Sequence, residues 1–130
     1  MEQYLLGIDI GTSACKTALF NKEGTLLLSK SEKYPTYYPE TGWAEQNPHD
    51  WWNAVRKTLL LTLEQTGISP GEIAGIGVDS QSWAAVFLNA QGEVLTKAPI
   101  WLDTRAQAVC TRLNQQLGPD NIFSVAGNPL

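Results

Sequence analysis

The chain has 130 residues, 43% hydrophobic and 17% charged, which suits one globular domain with a core of its own. Nine Lys and Arg against thirteen Asp and Glu give a net charge of -4, excluding a broad basic face for nucleic acid or anionic lipid. No apolar run approaches the roughly 20 residues of a membrane span, and the opening Met1-Glu2-Gln3-Tyr4 lacks the basic start of a secretory leader, so a cytoplasmic location is expected.

In chain order, YLLGIDI at 4–10 reads as a buried strand and CKTALFN at 15–21 as a second. The turn Asn21-Lys22-Glu23-Gly24 returns the chain into a third strand over 25–35, completing an antiparallel meander. Residues 36–46, TYYPETGWAEQ, mix aromatics with Pro and Gly without a period and read as a packed loop. Asn47-Pro48 is a helix start, with Asp50 in the first turn and Gly67 as the stop. Trp52, Val55, Leu59 and Leu63 recur at helical spacing between them and predict the buried face. IAGIGVDSQ at 73–81 reads as a buried strand and WAAVFLN at 83–89 as its neighbour, closed by the turn at 89–92. A helix follows in which Ala106, Val109, Leu113 and Leu117 share a face until Gly118-Pro119, and DNIFSVAGNPL then ends without a capping element. Cys15 and Cys110, with no CxxC spacing and a single histidine in the chain, read as small core fillers, not a disulfide or zinc framework.

The chemistry concentrates in GIDIGTSACK at 7–16. A strand ending in Asp-x-Gly-Thr-Ser can present successive backbone amides around a tight turn, a concavity suited to polyphosphate oxygens. Gly11 permits close approach and unusual dihedrals. Thr12 and Ser13 add hydroxyls, Asp9 is placed for a metal ion, and Lys16 supplies a point charge. Taken alone, the stretch reads first as a plain hairpin turn, with Asp9 bonding its own loop and Lys16 solvated. It is not a Walker loop, and GIGVDS at 75–80 is no dinucleotide fingerprint, because its glycines fall inside a strand and the third is missing. Those glycines read as close strand packing, and Asp79 as strand-end hydrogen bonding.

GIDIGTSxxK with its meander, GWAEQNPHDWW at 42–52, GIGVDSQSWA at 75–84 and IWLDTRA at 100–106, in this order, resemble the start of an FGGY-family carbohydrate kinase, in the branch that includes xylulokinase. The resemblance covers the whole chain, residues 1–130, as the opening part of the first domain of such an enzyme. It implies an α/β fold of the ribonuclease-H-like class shared by sugar kinases, actin and Hsp70: a mixed sheet with an antiparallel meander and flanking helices. It further implies ATP and Mg2+ as cofactors, held in part by Asp9, Gly11, Thr12, Ser13 and Lys16, with Asp9 toward the metal. The substrate implied is a small sugar, a ketose or polyol, approached by Gln81, Ser82, Trp83, Trp101, Asp103 and Arg105. No nucleic-acid or membrane partner is expected, and the resemblance allows a homodimer of the full-length enzyme. In the family the catalytic base and the adenosine pocket would lie beyond Leu130, so the fragment alone is expected to be inactive.

Each sugar-side residue has a plainer reading. Asp103 reads also as the N-cap of the next helix, Arg105 as a scaffold partner of a carboxylate, and Trp83 and Trp101 as core aromatics. Trp43, Trp51 and Trp52 read as packing residues and His49 as a surface residue. Xylulokinases tend to carry Met-His where this chain has Ser82-Trp83, which leaves another ketose, a pentitol or a related sugar open. Two other function classes stand beside the kinase: a non-catalytic actin-like or sugar-binding module, and an Hsp70-like or actin-like ATPase. The WLDTR and GWAEQ segments disfavour the ATPase.

Overall fold

The structure, a computed structural model, describes residues 3–130; Met1 and Glu2, part of the segment read against a leader, lie outside the described residues. The meander forms as expected from β1 (Tyr4–Ile10), β2 (Ala14–Asn21) and β3 (Leu26–Lys33). Its second turn closes with the Gly24 amide donating to the Asn21 carbonyl at 3.0 Å. The chain then runs through β4 (Glu45–Gln46), α1 (Pro48–Thr66), a 3-10 turn, β5 (Ile73–Ser80), β6 (Ala98–Pro99), α2 (Gln107–Leu117) and α3 (Pro119–Ala126). After α1 crosses over, β5 pairs parallel to β1, giving a four-stranded mixed sheet in the order β3-β2-β1-β5. Strands β4 and β6 form a separate antiparallel pair.

Helix α1 begins as the sequence dictates. The Asn47 side chain accepts from the His49 amide, Pro48 occupies the first turn, and Gly67 ends the helix at φ 70° with its amide on the Leu63 carbonyl. Its inner face differs from the expected stripe. Ala54, Val55, Thr58 and Thr62 are the buried positions, whereas Trp52 is 63% exposed. Small residues let the helix sit close to β2 and β3. The threonine hydroxyls are satisfied locally, Thr58 donating to the Ala54 carbonyl at 2.9 Å and Thr62 to the Thr58 carbonyl at 2.8 Å. Thr58 also meets Thr17 of β2 at 2.7 Å, and Cys15, Ile8, Tyr34 and Val55 fill the core around them. Cys15 is a core filler as expected, but Cys110 is only half-buried on α2.

Two further expectations are corrected. Residues 83–89 form no strand: the chain leaves the sheet after Gln81, Trp83 takes a left-handed φ of 59°, and only an isolated bridge joins Leu88 to Val94. The local hairpin exists, with the Leu95 amide on the Phe87 carbonyl, but the left-handed residue turns it away from the edge of β5. The chain's end is also capped: Pro119–Ala126 is a helix closed by Gly127 at φ 71°. Asn21, Gly24, Asn89 and Gly92 behave as the turn residues expected of them.

Candidate functional site

Strand register assembles the first group of side chains. Asp9 of β1 lies opposite Lys16 across the antiparallel pair and opposite Asp79 across the parallel one. Because strand side chains alternate, Asp9 points away from the face that buries Ile8 and Ile10 against the core. Asp9, Lys16 and Asp79 thus line one open hollow of about 420 Å³, floored by Gly7, Ala18 and Gly77. Asp79 accepts from the Ser80 amide at 2.8 Å, the strand-end bond expected of it. Gly77 has open space where a Cβ would stand, while a Cβ at Gly75 would meet Leu5 at 3.4 Å, so only Gly75 fits the close-packing reading.

The turn after β1 lies at the end of this row. The Gly11 amide closes the turn onto the Ala14 carbonyl at 3.1 Å, so it is not available to a ligand; among the described residues the amides of Thr12 and Ser13 donate to no protein acceptor. Gly11 has no left-handed φ. A Cβ there would stand 3.4 Å from the Ala14 carbonyl oxygen and 3.6 Å from Asp9 Oδ1, ordinary contact distances, so neither dihedral nor packing within the chain demands glycine. Beneath the turn, the buried Tyr34 hydroxyl donates to the Gly11 carbonyl. Burial, with the nearby Cys15 and Asp9 adding to it, pushes the Tyr34 phenol up to about 12, so it remains a donor.

Thr12 is held from two sides. Gln46 Nε2 donates to its carbonyl at 2.6 Å, and Trp101 Nε1 donates to its Oγ1 at 3.0 Å. An accepting hydroxyl keeps its proton for another acceptor. Gln81 joins the same group, its amide donating to the Ile10 carbonyl at 2.9 Å and its Nε2 to Gln46 Oε1 at 2.8 Å. The structure therefore brings Gln81 and Trp101 to the turn. Trp101 is 53% and Trp83 72% exposed, so neither is a core aromatic of this chain. Trp83, a bulky residue in left-handed backbone, marks local strain of a kind that concentrates at ligand sites. Ser82 beside it is exposed.

Asp103 and Arg105 stand one step away. Asp103 does not cap a helix, because α2 starts at Gln107 behind Ala106 with no side-chain cap. Instead its carboxylate, 5% exposed, accepts from the Ala44 amide at 2.8 Å and from Arg105 Nε and Nη2 at distances down to 2.6 Å. Arg105 Nη2 also reaches Glu45 at 2.8 Å, and the guanidinium stacks on Trp43 at 3.7 Å. The fork of hydrogen bonds from Arg105 lowers the Asp103 carboxyl to about 2, and the Arg105 guanidinium is raised by Asp103 and then Glu45. This cluster ties the loop carrying Trp101 to β4. Gly42 completes the contact at φ 81°, where a Cβ would stand 2.6 Å from Thr104 Oγ1.

Sequence reading missed Gln46, Trp51 and Tyr34 as parts of the site. Gln46 is 0% exposed and accepts from Trp51 Nε1 at 2.9 Å. Its signal was a polar residue just before a helix cap inside an aromatic segment, which in sequence looks like a solvated position. The donors of the turn, two amides and two hydroxyls, are of the kind that suits phosphate oxygens, while Lys16 lies in the adjoining hollow with Asp9 and Asp79, which the turn residues do not line. Among the described residues no group of three or more His, Cys, Asp and Glu could hold a metal unaided. Nor is any helix among them long and apolar enough to cross a membrane.

Residues 4–130 match the N-terminal domain of the FGGY family of carbohydrate kinases. A glycerol kinase from Ralstonia pickettii is 33% identical over 126 residues, 96% of this chain and 25% of the relative. A xylulose kinase from Bacillus subtilis is 33% identical over 126 residues, covering 97% of this chain and 25% of that protein. Among solved structures, a gluconate kinase from Lactobacillus acidophilus superposes with a TM-score of 0.87 at 27% identity, over 95% of this chain and 25% of the other. A xylulose kinase from the same organism gives 0.86 at 28% identity, over 94% and 24%. The chain spans about a quarter of the length of these relatives.

Proposed function

The chain belongs to the FGGY family of carbohydrate kinases, and from that premise we propose that it forms the phosphate- and sugar-facing part of the first domain of an ATP-dependent kinase acting on a small ketose or polyol. One observation carries this reading. Trp101, from the sugar-side motif, donates to the hydroxyl of Thr12 in the phosphate turn, so the two half-sites adjoin at a single residue. Phosphoryl transfer requires that adjacency, because the acceptor hydroxyl and the terminal phosphate must meet in line.

In this reading the Thr12 and Ser13 amides and hydroxyls would hold phosphate oxygens, Lys16, on the strand paired with Asp9, would offset their charge, and Asp9 would hold a divalent cation. Bound Mg-ATP supplies the transferable phosphoryl group and neutralises its charge. On the other side, Trp101 gives an apolar face to the sugar's carbon skeleton, with Gln81, Ser82 and Trp83 around its hydroxyls. Asp103 and Arg105 fix the wall behind Trp101. Relatives of the same family act on glycerol, xylulose and gluconate by name, so the family alone does not choose the sugar.

The test is a phosphotransfer assay of the full-length protein with Mg-ATP against pentuloses, hexuloses, polyols and aldonates. Substrate-dependent ADP release with one member is the expected outcome. No phosphorylation of any of them, by protein shown to be folded, would favour the non-catalytic module.

A further inference from the structure

A side-chain amide can be placed either way round, and at Gln46 the neighbours decide. The Thr12 carbonyl can only accept and the Trp51 indole N–H can only donate. Gln46 Nε2 therefore faces the Thr12 carbonyl at 2.6 Å and Thr36 Oγ1 at 2.8 Å, while Oε1 faces Trp51 Nε1 at 2.9 Å. Having its acceptor end fixed there, Gln46 can take only the donor end of Gln81, whose Nε2 lies 2.8 Å from the same Oε1. Gln81 Oε1 is left over: it is buried and, among the described residues, has no hydrogen-bond partner. A buried acceptor without a donor is costly, so such an atom marks a place for a donor.

Resting on the kinase reading above, we infer that Gln46 is a positioning residue with two separable outputs. Through the Thr12 carbonyl it sets the phosphate turn. Through Gln81 it fixes an amide whose nitrogen is spent on Gln46, so that the buried, unpartnered oxygen is the end left for a donor, which favours a hydroxyl over a carboxylate at that point. The fully buried Gln46 touches neither half-site ligand in this account; it acts through Thr12 and Gln81.

The two outputs can be parted by substitution. Gln46→Glu keeps an acceptor for Trp51 and Gln81 but loses the donor to Thr12 and Thr36. Gln46→Leu loses both. Equilibrium calorimetry on the full-length protein, with a non-hydrolysable ATP analogue and separately with the sugar that the wild type phosphorylates, reads each side. Gln46→Glu is expected to weaken nucleotide binding about tenfold with sugar binding within about twofold of wild type, and Gln46→Leu to weaken both by about tenfold. Should either variant fail to fold, Trp51→Phe, which frees the acceptor end of Gln46, is expected to weaken sugar binding about threefold and nucleotide binding less. If both affinities stay at wild-type values, or move by the same factor in Gln46→Glu, the positioning role is overturned while the kinase reading stands. A wild type that phosphorylates no sugar overturns the reading itself.

Discussion

Replacing Asp9 by Ala in the full-length protein is expected to lower turnover by about a hundredfold or more while leaving the fold in place, because a carboxylate that holds the divalent cation acts on the developing phosphoryl charge through that cation, and a metal-ion clamp is worth several kcal/mol. The stability half of this expectation follows from placement. Asp9 is exposed on the open face of the sheet, opposite Lys16 and Asp79, and its carboxylate makes no hydrogen bond among the described residues. Removing it takes one of two adjacent carboxylates off the sheet and leaves no buried group orphaned. Steady-state rates with circular dichroism melting check both halves. Near-normal turnover would remove Asp9 from the phosphate side, and a large loss of Tm would make it a structural residue.

Arg105→Ala is expected to act the other way, chiefly on stability. Its guanidinium supplies two arms to Asp103 and one to Glu45 while stacking on Trp43. Without it the Asp103 carboxylate, 5% exposed, keeps only backbone donors. The loss is read as a fall of a few degrees in Tm, the guanidinium being too near solvent for the full penalty of a deeply buried ion pair. Arg105→Lys recovers less than half of it, since a point charge cannot reproduce the fork.

The pH dependence gives a sharper check. The Asp103 carboxyl is lowered from 3.8 to about 2, so its contribution is fully present above about pH 4 and is lost as pH falls through about 2. The Tm difference between wild type and Arg105→Ala should therefore shrink across that window and hold steady from pH 5 to 7. A difference that stays constant down to pH 2 would mean that the stabilisation does not come from the ionised pair.

Much of this was legible in the residues, for identifiable reasons. Strands β1 to β3 and helix α1 announce themselves because alternation, the Asn21–Gly24 turn and the Asn47-Pro48 to Gly67 punctuation are local signals. What failed carried no hydrophobic or turn signature. The inner face of α1 is read wrongly from hydrophobicity, since Thr58 and Thr62 are buried with their hydroxyls on the helix's own carbonyls and Trp52 is left outside. Residues 83–89 carry a strand's composition, yet Trp83 in left-handed backbone takes them off the sheet.

The site divides the same way. Asp9, Gly11, Thr12, Ser13 and Lys16 lie within one short stretch that strand register gathers together. Gln46 and Tyr34 reach the turn from 34 and 23 residues away, through one atom each, and no spacing rule encodes such a meeting. Arg105 shows a subtler gap: the W-x-D-x-R pattern marks it for the sugar, but its recorded hydrogen bonds go to Asp103 and Glu45.

Amide hydrogen exchange over residues 10–16 of the full-length protein, with and without a Mg-bound ATP analogue, tests most directly whether the Thr12 and Ser13 amides receive phosphate oxygens. Among the described residues these amides have no protein acceptor, so without nucleotide they should exchange quickly, and nucleotide should slow them by about tenfold or more. Nucleotide that binds measurably while leaving exchange in this segment unchanged would contradict the account.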